Sequence, residues 1–131
     1  MENKTLFITG VSRGIGEAIA KGFASEGYFV IGTSRGSFDL SKCLNTNKCL
    51  HIPLDVRDRE GIQSAYDLLK TKNLLPSIII NNAGITKDQL LLRMNDEDWD
   101  DVIETNLTSI FNITKVFIKP MVKARTGRVI N

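Results

Sequence analysis

Residues 5–16 read TLFITGVSRGIG, an apolar run followed by three glycines in the spacing Gly-x-x-x-Gly-x-Gly. The continuous apolar run predicts a buried strand, and the amphipathic residues after Gly16 predict a helix. A strand, a glycine turn and a helix start form the arrangement in which backbone N–H groups bind a dinucleotide pyrophosphate. The stretch therefore predicts the first unit of a parallel α/β sheet, with a nucleotide site at its turn.

The three glycines of this turn have separate predicted roles. Gly10 permits a tight turn, Gly14 lets the backbone approach a phosphate, and Gly16 permits close packing of the helix on the strand. Many loops contain three glycines for conformational reasons alone. The nucleotide prediction therefore depends on the strand before the turn and the helix after it.

The rest of the chain alternates between apolar strand-like runs and helical patterns. Further strands are predicted at 28–31, 49–54, 77–80 and 128–130, helices at 58–71 and about 95–123, and a turn-rich connection at 34–48. Such alternation predicts a parallel sheet with right-handed crossovers covering both faces. We expect a Rossmann-type doubly wound α/β fold of about five strands in the order 3-2-1-4-5.

Two helices have apolar faces that the spacing predicts to be buried. On the first helix this face comprises Ile15, Ala18, Ile19, Gly22 and Phe23. On the long helix, which Asn95 or Asp96 caps and Gly127 ends, it comprises Trp99, Val102, Ile103, Leu107, Ile110, Phe111, Phe117 and Ile118. The same spacing buries the amide of Asn106, whose commoner role would be a core polar group bonded to backbone.

In a dinucleotide-binding α/β fold, residues at the end of the second strand distinguish NAD from NADP. An acidic side chain there would bind the ribose hydroxyls of NAD, but this chain has Ser34 and Arg35. An arginine binds a 2′-phosphate through charge-assisted hydrogen bonds, and Arg13 in the glycine turn adds a second cation. These residues favour NADP(H). The alternative is that both arginines are only solvated and that Asp39 reaches a ribose.

Composition limits the other classes of function. The 131 residues are 42% hydrophobic and 24% charged with a net charge of +2, which is typical of one globular domain and gives no support for nucleic-acid binding. Cys43 and Cys49 are too few for a disulfide framework. His51 is the single histidine, so we expect no metal site and assign it no role beyond that of a half-buried or edge residue. Without an export signal or a membrane-spanning run, we expect a cytoplasmic protein with no membrane partner.

Two motifs together are specific for one family. The run Thr9-Gly10-x-x-x-Gly14-x-Gly16, with Asn81-Asn82-Ala83-Gly84 later in the chain, resembles the short-chain dehydrogenase/reductase family. Within it, residues 81–115 are similar to the 3-oxoacyl-acyl-carrier-protein reductases of bacterial fatty acid synthesis. The resemblance implies NADPH-dependent reduction of a 3-oxoacyl thioester, carried on acyl carrier protein, to the 3-hydroxyacyl thioester. It also implies a homo-oligomer.

The resemblance implies a cofactor site made by the glycine turn and by the ends of three further strands. The turn would line the phosphate and ribose, Asp55 and Val56 would hold adenine, and residues 82–84 would flank the ribose and the approach to nicotinamide. The predicted set is Gly10, Ser12, Arg13, Gly14, Ile15, Gly16, Arg35, Asp55, Val56, Asn82, Ala83 and Gly84. On the residues alone, the alternative is that Asp55 caps a turn with Arg57.

The resemblance assigns a catalytic role to Asn106. In the family, the matching asparagine joins a serine, a tyrosine and a lysine, and it holds a water that relays the proton to the carbonyl oxygen. The family's serine and Tyr-x-x-x-Lys pair follow the fifth strand and are not among these residues. Tyr66 and Lys70 match the spacing but precede Asn81, so we predict that they lie on an ordinary outer helix.

We therefore expect residues 1–131 to form the N-terminal part of an NADP-binding Rossmann domain, truncated before its catalytic C-terminal part. The alternatives are a non-catalytic NADP-binding module, an inactive remnant, or a short-chain reductase of another substrate.

Overall fold

The computed structural model describes residues 3–131, which contain a single parallel sheet. Its strands are β1 Thr5–Thr9, β2 Phe29–Ser34, β3 Cys49–Pro53, β4 Ile78–Ile80 and β5 Arg128–Ile130. They lie in the order β3-β2-β1-β4-β5, and every neighbouring pair is parallel. The predicted α/β class and strand order are confirmed, and β2 continues past its predicted end at residue 31.

The helices follow the strands in alternation. They are α1 Gly14–Ser25, α2 Leu40–Leu44, α3 Arg59–Thr71, α4 Asp96–Ile103 and α5 Ser109–Ala124, with a short 3₁₀ turn at Leu91–Arg93. The sequence pattern did not predict α2, because a helix of this length is too short to show a period. Asp39 caps α2 by accepting the backbone N–H of Lys42 at 3.1 Å. Within residues 3–131, no helix is long and apolar enough to span a membrane.

The sheet is covered on both faces by two apolar clusters. Phe7 of β1 packs with α3 and α5, and its ring centroid lies 4.6 Å from that of Phe117. Leu6 and Ile8 point to the opposite face and pack with Ala20 of α1. Burial on both faces explains why the strands are apolar without alternation.

The long helix predicted over about 95–123 is interrupted in the structure. Glu104–Thr108 form a π-helical segment between α4 and α5. The wider turn changes which side chains face inward. The buried residues of this region are Thr105, Ser109, Asn112, Ile113, Phe117 and Met121. Four residues that were predicted to be buried are exposed: Trp99, Leu107 and Phe111 by more than half, and Ile118 by 38%.

The end of α5 also differs from the prediction. Arg125, not Gly127, takes the left-handed conformation that ends the helix, with φ of 56°.

Helix α1 buries a different face from the predicted one. Gly16 and Ala20 are buried, whereas Ala18 and Gly22 are exposed and Ile15 is 72% exposed. Because residue 16 has no side chain, the helix packs on the β1 turn through its backbone. This contact places Ile15 at the cleft formed by the strand ends, not in the core.

Candidate dinucleotide site

The ends of β1, β2, β3 and β4 open onto a cavity of about 600 Å³. Its walls are the glycine turn, the turn after β2, the segment after β3 and the loop after β4, with Thr105 beside them. Every predicted cofactor-binding residue except Gly16 lines this cavity. Ligands of open α/β sheets bind beyond the carboxyl ends of the strands, which is where the cavity lies.

The glycine turn has the conformation that an anion site needs. Gly10 and Gly14 have φ of 69° and 61°, in the left-handed region that favours glycine. Nothing lies within 4 Å of the position a Cβ would take on Gly14, so the approach to its backbone is open. Helix α1 begins there, and no side chain among the described residues caps it at Arg13. Its first N–H groups and the positive end of its dipole are therefore available to an anion.

Gly16 has a structural position behind this turn. A Cβ on Gly16 would overlap the backbone carbonyl of Gly10 and press on the amide of Asn82. The residue thus permits α1 to lie directly on the end of β1, which is the packing role predicted for the third glycine.

Reciprocal hydrogen bonds join the glycine turn to the loop after β4. Thr9 Oγ1 accepts the backbone N–H groups of Asn82 at 3.1 Å and Ala83 at 2.9 Å. Asn82 Nδ2 donates to the carbonyl oxygens of Thr9 and Gly10, both at 3.1 Å. The side chain of Asn82 therefore fixes the shape of the cavity. Thr9 begins the family motif but was missed as a site residue.

Asn106 lies in the π-helical segment and is exposed, so the predicted burial is wrong. Its Oδ1 accepts the backbone N–H of Ile85 at 2.8 Å, and its Nδ2 donates to the carbonyl of Ile85 at 2.9 Å. The irregular turn moves this amide off the buried face, and Thr105 lines the cavity instead. Backbone partners of the expected kind are nevertheless present, and they hold the loop that follows Gly84.

Asp55 accepts hydrogen bonds from Arg57, in agreement with the alternative in which Asp55 caps a turn with Arg57. Its Oδ1 accepts the backbone N–H of Arg57 at 2.9 Å, and its Oδ2 accepts from the guanidinium at 2.8 Å. Arg57 also donates to Asp101 of α4 at 3.0 Å, and Lys87 lies 3.2 Å from the same carboxylate. The network ties the segment after β3 to the loop after β4, while Asp55 still lines the cavity.

This network gives a prediction about acid stability. Hydrogen bonds from Arg57 lower the pKa of Asp55 below its ordinary value. The pairing therefore stabilises the fold above the unfolded-state pKa, and this stabilisation is lost as the pH falls through the folded-state value. We expect Arg57→Gln to reduce the unfolding free energy at neutral pH by less than about 1 kcal/mol, because solvent screens the half-exposed pair.

Urea denaturation from neutral pH to about pH 3 measures this effect across the ordinary aspartate range. The difference in unfolding free energy between Arg57→Gln and the original protein should become smaller as the pH falls toward about 3. A difference of constant size would contradict the assignment.

The two arginines predicted to bind a 2′-phosphate are both exposed at the cavity wall. Arg13 lies in the glycine turn and Arg35 in the turn after β2. Asp39, the alternative ribose ligand, does not line this cavity. Its carboxylate accepts from Ser41 Oγ at 2.8 Å and caps α2. The geometry thus presents cations, and not this carboxylate, to the end of the cavity beside β2.

Tyr66 and Lys70 lie on α3, as predicted, and line a separate groove of about 650 Å³ between α3 and α5. The ring of Tyr66 packs against Phe117 with centroids 5.6 Å apart. This pair is therefore remote from the cavity at the strand ends.

Comparison with known proteins places this site in a family. The short chain dehydrogenase family model matches residues 4–131. The 3-oxoacyl-acyl-carrier-protein reductase FabG of Haemophilus influenzae is 42% identical over 134 residues, covering 100% of this chain and 55% of its own length.

Solved structures show the same likeness. A short-chain dehydrogenase from Streptomyces avermitilis has a TM-score of 0.89 and 27% identity over 96% of this chain and 47% of its own. A short-chain dehydrogenase from Leptospira borgpetersenii with bound NAD+ has a TM-score of 0.87 and 25% identity. The match covers 98% of this chain and 50% of the Leptospira chain. The chain spans about half the length of these relatives. The glycine turn, the loop after β4 and the sheet order thus have one common explanation: the chain belongs to the short-chain dehydrogenase family.

Proposed function

We propose that this protein is an NADPH-dependent oxidoreductase and that residues 3–131 form its dinucleotide-binding part. The observation that carries the proposal is the cavity, because it gathers the predicted residues from four strand ends around an open helix N-terminus. The site combines backbone donors at the glycine turn with apolar wall residues such as Val56 and Ile15. Such a combination suits a ligand with a charged pyrophosphate and flat apolar rings.

Selectivity for NADP(H) is supported by the charges at the cavity wall. Arg13 and Arg35 line the cavity, whereas Asp39 is engaged at the start of α2. A guanidinium binds a 2′-phosphate by short charge-assisted hydrogen bonds, which NADH does not offer. We therefore assign the 2′-phosphate to Arg35, with Arg13 as the second cation.

We infer the substrate from the Haemophilus influenzae relative, whose name gives a 3-oxoacyl-acyl-carrier-protein reductase. The proposed reaction reduces the ketone of a 3-oxoacyl thioester to a 3-hydroxyacyl thioester. NADPH, when bound, would supply the hydride to the ketone carbon. The carbonyl oxygen must also take a proton, which the family resemblance assigns to a tyrosine that is not among residues 3–131. Asn106 is proposed to support the proton relay, as the resemblance implies. Its bonds to both backbone groups of Ile85 hold the loop after Gly84 at the cavity. Assembly into a homo-oligomer stays a prediction.

Exchanging Arg35 for aspartate tests the cofactor assignment. We expect Arg35→Asp to weaken NADPH binding by roughly tenfold or more, because the change removes a charge-assisted hydrogen bond and adds a like charge. NADH binding should be retained, since a carboxylate there can accept from the ribose hydroxyls. Calorimetric titration of the full chain with each cofactor measures both affinities.

A matched control makes the same kind of charge reversal elsewhere. Lys119→Asp lies at the groove between α3 and α5, so it should leave both affinities unchanged. Equal losses for both cofactors in Arg35→Asp would remove the phosphate-binding role from that arginine. If the folded chain bound neither cofactor, the site assignment itself would be wrong.

The substrate assignment has its own test. The full-length protein, supplied with NADPH and a 3-oxoacyl thioester of acyl carrier protein, should form the 3-hydroxyacyl product. NADPH binding without that product would reject the substrate and keep the cofactor.

A further inference from the structure

One side chain of β3, His51, contacts the turn after β2 on both sides of Arg35. Its Nε2 lies 2.7 Å from Ser34 Oγ. Its ring meets the ring of Phe38 edge-on, with centroids 5.9 Å apart and planes at 62°. The residues between these two contacts, 35–37, are exposed and line the dinucleotide cavity. His51 therefore anchors both ends of the exposed part of this turn.

Strand pairing explains how His51 reaches Ser34. β2 and β3 are parallel, with Gly32 opposite His51 and Ser34 opposite Pro53. Side chains two residues apart along a strand share a face, so Ser34 and His51 lie on the same side of the sheet. The direct partner of His51 is a glycine, which places no side chain between the imidazole and Ser34.

The hydrogen bonds around Ser34 form a short chain. A serine hydroxyl has one proton to donate and lone pairs that accept. Ser34 Oγ donates to the carbonyl of Gly36 at 3.3 Å, so in the Nε2–H tautomer of His51 the hydroxyl lone pair accepts from the imidazole. Partial burial lowers the pKa of His51 because the charged ring loses solvation, which favours the neutral imidazole. This series of hydrogen bonds therefore links His51 on the edge strand β3, through Ser34, to the backbone of Gly36 beside Arg35.

We propose that His51 is a positioning residue that sets the preference for NADPH over NADH by holding the turn that presents Arg35. The proposal rests on the proposed function, because the turn affects selectivity only if Arg35 binds the 2′-phosphate. Ordering a loose turn on binding costs conformational entropy. That cost falls on NADPH alone, since NADH has no 2′-phosphate to engage Arg35.

The test compares four forms of the full chain by calorimetric titration with NADPH and with NADH. They are the original sequence, His51→Leu, His51→Gln and Cys49→Ala. Leucine keeps an apolar group against Phe38 but removes the hydrogen bond to Ser34. Glutamine restores a side-chain N–H near the position of Nε2. Cys49 is the matched control, because it lies on the same face of β3 and its Sγ donates to Thr46 at 3.4 Å, away from the turn.

We expect His51→Leu to weaken NADPH binding by roughly fivefold, the effect of one neutral hydrogen bond, and to leave NADH binding unchanged. His51→Gln should recover most of the original ratio of NADPH affinity to NADH affinity, and Cys49→Ala should not alter this ratio. An unchanged ratio in His51→Leu would overturn the proposal. Equal losses for both cofactors would overturn it too, because they indicate general damage to β3.

Arg35→Asp distinguishes this failure from failure of the proposed function. If Arg35→Asp lowers the ratio and His51→Leu does not, the cofactor site stands and the role of His51 is rejected. If Arg35→Asp leaves the ratio unchanged, the NADP(H) assignment is wrong and the positioning role is rejected with it.

Discussion

Replacing Gly16 by alanine is expected to destabilise the fold by about 3 kcal/mol and to abolish dinucleotide binding. The new Cβ would overlap the carbonyl oxygen of Gly10, which is backbone and not the movable end of a side chain. Relief requires α1 to move away from the end of β1. That movement would separate the helix N-terminus from the glycine turn, so the anion site would be lost with the packing.

Gly22→Ala is the matched control on the same helix. Nothing lies within 4 Å of the Cβ position at Gly22, and this glycine is not among those with positive φ. Because alanine is the better helix former, this change should stabilise the protein by about 0.5–1 kcal/mol. Urea denaturation and NADPH titration of both variants measure the contrast. A Gly16→Ala protein with the original denaturation midpoint would show that α1 does not depend on this contact.

Thr9→Val should lower the unfolding free energy by about 2–4 kcal/mol, although valine has nearly the same shape. Thr9 is 1% exposed, and its Oγ1 accepts two backbone N–H groups from the loop after β4. Valine removes the acceptor and leaves both donors without it in a part-buried region. The loop after β4 carries Asn82 and Ala83 at the cavity wall, so cofactor binding should weaken as well.

Thr33 provides a close comparison, because it is the register partner of Thr9 on β2 and is fully buried. Its Oγ1 has no hydrogen-bond partner among residues 3–131. Thr33→Val therefore removes an unpaired polar atom and should be neutral or stabilising. Denaturation midpoints of the two variants decide the matter. Equal losses would mean that the bonds to Thr9 contribute nothing beyond the loss of a hydroxyl.

Local patterns made much of the architecture predictable. The apolar run of β1 and the glycine spacing after it are contiguous in the chain, so one short stretch indicates a strand, a turn and a helix. Continuous apolar residues in the later strands indicate burial on both faces, which in an alternating chain requires a parallel sheet. The resemblance to the family supplied the remaining site residues. Those predicted to bind the cofactor line the cavity, whereas Asn106 does not, and all of them await a functional test.

Periodicity failed where tertiary contacts change the local geometry. The spacing around Asn106 assumes a regular helix, but the structure has a π-helical segment at 104–108, where the amide binds Ile85 from another part of the chain. For Ile15, the same rule predicted the core. The helix instead packs through Gly16, so the apolar side chain lies at the cavity.

The sequence by itself determined the fold class and the position of the glycine turn, because these follow from burial and backbone freedom in contiguous residues. The strand order was expected from the doubly wound fold that these features indicate. Only the tertiary structure decided how the site is held together. The bonds of Thr9 with Asn82, of Arg57 with Asp101 of α4, and of His51 with Ser34 join residues that are distant in the chain. These hydrogen bonds depend on the direction and distance of individual polar atoms in the folded protein. Hydrophobic periodicity in the sequence does not predict them.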